Sequence, residues 1–403
     1  MLTRDMHDVI VVGGGPTGFV TALGLAQAGV DVCLIEAEAG INASPRACVY
    51  HWSMLDGLER LGIREEAERI GYTKDDYLWF VKKTGERLPY DLKVLSRITR
   101  FNYNIQLGQD RLAEICQRRL EAMSNAVIHW RTAFIGLLQD SDGVTVRASS
   151  PQGPIELRAR YVVGADGAGS AVRKALGLAF DGFTWPERFV ATNLEHDFES
   201  GGYWQSTMVV DDEWGAVIVK ITREGLWRCT YMEDMALPEE TYVERIPSAY
   251  RNLLPGPKAD GGGYELVQSS PYKMHQRCAE RFRVGRVVLA GDAAHVTNPT
   301  GGFGLTTGLF DAYALWPTLS AVLLEGADPG LLDVWADERR QIFLEKTSPQ
   351  AMAYKDFVFH TCGGGEKLDA ALEGMRRMVR DPDYRLERIM FTKGLETTSP
   401  AER

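Results

Sequence analysis

The chain has no CxxC pair, no His and Cys cluster at metal-ligand spacing, and no apolar run approaching the length of a membrane span. Its six cysteines stand apart at 33, 48, 116, 229, 278 and 362. A metal site is therefore not expected, and scattered cysteines in a chain this long read as reduced thiols. Basic residues are outnumbered, 45 Lys and Arg against 55 Asp and Glu, for a formal charge of −10. That balance argues against nucleic acid, whose phosphates need clustered cations. A strand-like run begins within the first eight residues, leaving no room for a charged and then apolar leader. Internal repeats and low-complexity segments are missing too. The expectation is a cytoplasmic protein with no metal, no nucleic acid and no membrane partner. What is present is ordinary for a globular chain: 403 residues, 45% apolar and 25% charged. That length suggests two or three domains.

Val9–Val12 is an apolar run that meets Gly13, followed by a helical pattern (Ala22, Leu23, Leu25, Ala26) that closes at Gly29. A second run, Val32–Ile35, ends on Glu36. This strand–turn–helix–strand order opens a parallel α/β unit. Tyr161–Ala165 stops at Asp166, and Val287–Ala290 stops at Gly291 and Asp292. Runs of this kind predict a doubly wound, Rossmann-like sheet whose ligands lie at the carboxyl ends of the strands. Residues 181–275 differ, with aromatics at uneven spacing and alternating stretches such as Gly215–Thr222. They predict a mainly antiparallel sheet. Tyr77–Tyr90 reads as a hairpin around Thr84 and Gly85, a candidate to join it. Beyond Pro349 the pattern is helical and increasingly polar, and the last ten residues are expected to be poorly ordered. The fold class is α/β: a discontinuous dinucleotide-type domain (1–180 and 270–345), an inserted β-sheet domain (181–269), and C-terminal helices and tail (346–403).

Gly13-Gly14-Gly15-Pro16-Thr17-Gly18 fits GxGxxG at a strand-to-helix turn. Gly13 allows the tight turn, Gly15 lets backbone amides approach a pyrophosphate, and Gly18 lets the helix pack on the strand. Pro16 and Thr17 open the helix, whose N-terminus carries the positive end of its dipole. Glu36, at the end of the second strand, can accept hydrogen bonds from ribose hydroxyls. This motif alone does not separate FAD from NAD.

Gly285-Arg286-Val287-Val288-Leu289-Ala290-Gly291-Asp292-Ala293-Ala294-His295 resembles the GD motif of the p-hydroxybenzoate hydroxylase family, single-component FAD-dependent aromatic hydroxylases. The resemblance assigns Gly291 and Asp292 to the ribityl chain of FAD. Pro299-Thr300-Gly301-Gly302-Phe303-Gly304-Leu305-Thr306 then opens a helix. In the family its backbone amides, here those around Pro299, Gly302, Phe303, Gly304, Leu305 and Thr306, face the flavin ring. Relatives often have two prolines where this chain has Asn298-Pro299, and an asparagine where it has Thr306. Tyr161–Arg173 resembles the DG motif, with Asp166 and Gly167 implied in binding FAD and NAD(P)H. Arg46, in Pro45-Arg46-Ala47, and Gln109 match further cofactor positions. The resemblance covers 8–180 and 270–345 well, 181–270 only in general character, and hardly anything after 350.

It implies an enzyme in which NADH or NADPH reduces FAD, O2 adds, and a flavin hydroperoxide places one oxygen atom on an electron-rich aromatic. A closed apolar chamber must keep water out, and the aromatic-rich sheet is the expected wall. Pro299 and Thr300 match positions bordering the family's substrate cavity. Arg228 and Tyr231, on one strand-like stretch, are candidate catalytic groups. Lys220, Tyr203 and Tyr272 are candidate substrate contacts, and His51 and His275 are weaker ones. The resemblance further implies a homodimer. Alternatives stay open: ring opening of a hydroxypyridine, epoxidation, polyketide hydroxylation, or a non-catalytic flavoprotein. A halogenase is disfavoured because its WxWxIP signature is missing. A simple NAD dehydrogenase leaves the Asp166 and Asp292 motifs unexplained.

Overall fold

Val9–Val12 and Val32–Ile35 are buried throughout, as strands covered on both faces must be. In the computed structural model, which describes residues 6–43, 47–255 and 263–403, they form the centre of a parallel sheet. His7–Val12 pairs in parallel with Val32–Ile35 on one side and with Gly153–Gly164 on the other. Ala126–His129 and Val287–Leu289 extend the parallel set outward. Two antiparallel strands, Val144–Ser150 and Ala133–Gln139, hang from the first half of Gly153–Gly164. Helix Pro16–Gln27 lies against helices Phe303–Ser320 and Gln109–Glu121. There Gly24 leaves room for Trp316, whose ring would stand 2.5 Å from a Cβ.

Among the described residues the second sheet has eight strands. Its order is His295–Val296, Glu265–Ala279, Phe180–Glu195, Leu226–Asp234, Ala216–Lys220, Ser206–Val210, Asp76–Val81 and Glu86–Asp91. The hairpin read at Tyr77–Tyr90 forms its last two strands and joins it through a parallel pairing with Ser206–Val210. Helix Tyr242–Leu253 covers one face, packing Ile246, Ala249 and Tyr250 onto Val190, Ile218 and Cys229. The other face meets Trp52 and the C-terminal helices through Phe357, Val358 and Phe359. A small third sheet, Val49–Tyr50, Asn104–Gln106 and Tyr72–Lys74, lies between. Among the described residues no helix is long and apolar enough to cross a membrane.

One expectation fails outright. The last ten residues are packed, not loose. Leu395 is fully buried and its carbonyl accepts Arg339 Nη1 at 2.7 Å. Ser399 and Thr318 share a buried hydroxyl bond of 2.7 Å, and Arg403 pairs with Glu338 at 2.6 Å. Polar composition suggested a solvated tail, but those polar atoms find partners on the core helices.

Candidate functional site

The carboxyl ends of the parallel strands come together in one cleft. Gly13 has φ +109°, and a Cβ there would meet the Ala165 carbonyl at 2.4 Å, so the first and third motifs touch at this residue. The Glu36 carboxylate accepts the Gly14 amide at 2.5 Å and the Glu38 amide at 2.8 Å, which holds it over the glycine turn. A Cβ on Gly15 would meet nothing within 4 Å, and the same is true of Gly167. These two glycines border open space. Pro16 occupies the first turn of the helix, where a missing N–H costs nothing. Gly18 packs against the Gly13 carbonyl, which would stand 2.0 Å from a Cβ. Thr17 fits between Gly291 and Gly308: its Oγ would lie 2.6 and 2.8 Å from side chains there. Gln109 begins its helix, and its amide donates to the Ala47 carbonyl at 3.2 Å. Arg46 lies outside the described residues.

Asp166 and Asp292 differ in posture. Asp166 accepts Ser170 Oγ at 2.6 Å and the Ala171 and Val172 amides at 2.7 and 3.1 Å. Its carboxylate therefore shapes its own turn and starts the helix Ala171–Ala175. Arg173, buried, carries that loop to the GD turn by donating to the Ala293 carbonyl at 2.7 Å. Asp292 is exposed on the short helical turn Gly291–Ala293 at the end of strand Val287–Leu289. Beneath it sits Asp311, wholly buried, which accepts the Gly291 amide at 3.0 Å, His295 Nε2 at 2.7 Å and Arg339 Nε at 2.8 Å. Burial pushes the Asp311 carboxyl up, but pairing with His295 and Arg339 outweighs it and holds it at about 2. His295 is thus a support for the turn, stacked on Phe343 with ring centroids 4.6 Å apart.

Helix Phe303–Ser320 starts after Gly302, whose φ is +71°. The first-turn amides of Phe303, Gly304 and Leu305 have no intrahelical acceptor, so this end is a donor cluster with partial positive charge. Thr306 Oγ turns back to the Gly302 carbonyl at 3.0 Å. Pro299 is exposed, while Thr300 is buried with its hydroxyl lacking any partner among the described residues.

Strand alternation sorts the remaining candidates. Tyr231 points, with Trp227 and Cys229, into the small core under helix Tyr242–Leu253. Tyr203 packs there against Phe198, its hydroxyl 3.4 Å from the Leu253 carbonyl. Lys220 lies over the Trp227 ring at 5.7 Å and pairs with Glu199 at 3.1 Å. Lys220 and Tyr231 do not reach the cleft, because alternation turns them to the far side of the sheet, and Tyr203, in the loop before Ser206–Val210, packs on that same side. Arg228 points the other way. Its Nε donates to Asn193 at 3.0 Å; Asn193 bonds Gln268 at 3.5 Å, and Gln268 reaches the Ala43 carbonyl at 3.4 Å. No acidic side chain among the described residues pairs with Arg228. Tyr272 shares this face, edge-on to Phe189 at 6.0 Å. His275, by contrast, sits at the strand bulge, 2.8 Å from Thr184 Oγ.

Trp52, Lys74 and Asn104 on this side went unread as site residues, whereas His51 was among the weaker candidates. His51 Nε2 lies 3.2 Å from the Gly301 carbonyl, and burial pushes its imidazole down to about 4. At neutral pH it is uncharged, and because a carbonyl only accepts, Nε2 carries the hydrogen. Next to it, the Trp52 amide donates to Asn104 Oδ1 at 2.7 Å. Asn104 faces Lys74 across the third sheet, and its Nδ2 donates to the Tyr77 hydroxyl. Besides His51, the sequence offered here only Tyr77, at the start of its hairpin.

The described geometry suits an elongated ligand with a ribose and a pyrophosphate: a carboxylate over the glycine turn, open space beside Gly15, and an exposed Asp292 at the neighbouring strand end. Comparison with known proteins agrees. Residues 6–347 match the family model described as an FAD binding domain. The chain is 40% identical over 390 residues to 6-hydroxy-3-succinoylpyridine 3-monooxygenase of Pseudomonas putida, covering 96% of this chain and 98% of the relative. It is 43% identical over 352 residues to para-nitrophenol 4-monooxygenase of a Pseudomonas species, covering 87% of each. The crystal structure of p-nitrophenol 4-monooxygenase from Pseudomonas putida superposes with a TM-score of 0.91 at 38% identity, covering 97% and 98% of the two chains.

Proposed function

This chain belongs to the FAD-binding family that includes the flavin-dependent aromatic hydroxylases, and on that premise we propose that it hydroxylates a phenol or hydroxypyridine. It is an FAD-dependent monooxygenase drawing electrons from NADH or NADPH. The observation that carries the reading is the meeting of Gly13, Glu36 and Gly291 at one cleft, roofed by a sheet face that bears Arg228. Glu36 would take ribose hydroxyls, the amides around Gly15 the pyrophosphate, and Asp292 the ribityl hydroxyls. Asp166 and Arg173 act from behind by fixing the loop that borders the cleft. Bound FAD supplies the two-electron chemistry that activates O2.

Everything else falls to the chain. The donor cluster at Phe303, Gly304 and Leu305 would help hold the flavin and would stabilise negative charge developing on it. Thr300 Oγ, buried without a partner among the described residues, and Pro299 border the substrate side. Trp79, Met208 and Val217 of the sheet exclude water from the reacting centre. Arg228, with one hydrogen bond and no acid, is suited to a polar or anionic substituent of the substrate, and Tyr272 closes the same wall. The named relatives act on a nitrophenol and on a hydroxypyridine with an acyl arm, both of which present these features. A homodimer and a cytoplasmic setting belong to the same reading. In the structure all six cysteines are unpaired, five of them buried, which suits a reducing compartment.

The test is NAD(P)H oxidation by the purified yellow protein, with and without 4-nitrophenol and 6-substituted hydroxypyridines, coupled to product identification. Stimulation with formation of a hydroxylated product supports the proposal. Bound flavin with no stimulation by any aromatic would leave a flavoprotein without this activity.

A further inference from the structure

Lys74 is the one lysine whose side chain is wholly buried without a close carboxylate partner among the described residues: Asp76 Oδ1 stands 3.8 Å away. Its Nζ donates to the Asp76 carbonyl at 2.6 Å and lies 4.1 Å from the centre of the Tyr77 ring. The other fully buried lysine, Lys355, sits 3.1 Å from Glu187. Burying an ammonium is costly, and such groups recur where charge is used.

The Tyr77 hydroxyl is oriented by a chain of unambiguous partners. A backbone amide only donates, so the Trp52 amide fixes which end of Asn104 is oxygen. Asn104 must then offer its NH2 to Tyr77, and the Tyr77 oxygen is the acceptor. The tyrosine's own hydrogen is left without an acceptor among the described residues. Tyr77 keeps accessible surface although it lies deep in the molecule. Its surroundings tie it to the cleft: Tyr90 is stacked on it at 5.1 Å, and Trp79, on the same face of its strand, meets Tyr354 at 5.8 Å. Tyr354 in turn meets Phe303, at the head of the cleft helix, at 5.5 Å. The sheet register places Tyr77 beside Ser206, and Ser206 beside Val219, which faces Arg228. Tyr77 and Arg228 thus share one row and one face, about three strand spacings, or roughly 14 Å, apart at the backbone.

We propose that Tyr77 donates its hydroxyl hydrogen to the ring oxygen of the substrate, while Asn104 and Lys74 act as positioning residues that aim it and place positive charge behind it. The substrate class follows: an aromatic with a hydroxyl at one end and a polar or anionic group at the other, spanning from Tyr77 to Arg228. Binding favours the phenolate. The substrate gives its proton to solvent and Tyr77 keeps its own. Burial pushes the Tyr77 phenol well up, so it remains a donor throughout the working range. The ammonium of Lys74 is pushed down by burial to about 7, against the pull of Asp76, Cys48 and Asp75. His51, uncharged, also faces it, and Tyr354 faces Tyr77. A cation against the ring face makes the tyrosine a stronger donor.

This inference rests on the phenol-hydroxylase reading, and one experiment separates the two. FAD-loaded wild type, Tyr77→Phe and Lys74→Met are each titrated with pH while holding bound 4-nitrophenol, whose ionisation is read from its visible absorbance. NAD(P)H oxidation is measured alongside. The wild type should ionise the bound phenol at lower pH than in free solution. Tyr77→Phe should raise that midpoint by about one pH unit or more, or abolish phenol binding with FAD retained, as loss of a hydrogen bond to a charged oxygen requires. Lys74→Met should raise it less. An unchanged midpoint in both variants, with phenol-stimulated oxidation intact, overturns the inference and spares the reading. A wild type that no phenol stimulates overturns both.

Discussion

At the carboxyl ends of the parallel strands, the proposed ligand groups are backbone amides and short carboxylates fixed by their own turns. On the sheet above, they are long side chains whose direction depends on which way each strand residue points. Gly13 and Glu36 are locked by contacts between neighbouring motifs, and Gly291 by the buried Asp311 of the following helix. Arg228 and Tyr231, three residues apart, are separated by the whole thickness of the sheet. Main-chain recognition tolerates sequence change around it, whereas side-chain recognition is redrawn by a single register shift. The cofactor half of such a molecule can therefore stay constant while the substrate half diverges.

Breaking the rigid half should have the largest effect. Asp311→Asn removes the buried charge and one of the two acceptor oxygens that Arg339, His295 and the Gly291 amide share, and we expect a stability loss of about 3–5 kcal/mol in denaturant titration. A loss under about 1 kcal/mol would remove Asp311 from the centre of this network. The same group sets an acid limb. Its folded value of about 2 lies below the ordinary carboxyl value of 3.8, so the stabilisation is complete above that value and lost as pH falls through 2. The amount is about 2 kcal/mol, and Asp311→Asn should flatten stability measured between pH 4.5 and 2.

Asp292→Ala and Gly15→Val test the cleft more gently. Each should weaken FAD binding, Asp292→Ala by about 1.5–3 kcal/mol, in protein that remains soluble and folded. Fluorescence titration of apoprotein with FAD measures this, and unchanged affinity would dissociate these residues from the cofactor. The smallest effects should come from the far face of the sheet. Tyr231→Phe and Lys220→Met should leave kcat/KM with the best phenol within about twofold, whereas Arg228→Gln should raise KM for substrates with an anionic arm at least tenfold. If all three behave alike, the assignment of faces is wrong.

The cofactor half was legible in the sequence because its chemistry is local. A glycine turn, an acid at the next strand end and a GD turn can each be read within a dozen residues. The hairpin at Tyr77–Tyr90 was legible for the same reason. Lys220 and Tyr231 were misplaced because neighbouring strands were recognised only as alternating, without the register that says which parity faces inward, and Tyr203 because it lies in the loop before Ser206–Val210, where there is no alternation to read. Lys74, Asn104 and Tyr77 were invisible as a group. They lie on two separate sheets, joined by a cross-strand pair and an amide whose orientation only the neighbouring backbone reveals. The C-terminal tail misled for a simpler cause: Ser399 and Arg403 read as solvated, yet each has a partner on a core helix.

The most direct measurement is the stoichiometry of NAD(P)H consumed, O2 consumed and hydroxylated product formed by the purified holoprotein with its best phenol. The account predicts a yellow protein and a ratio near one to one to one. Colourless protein, or NAD(P)H oxidation that no aromatic accelerates, would contradict it.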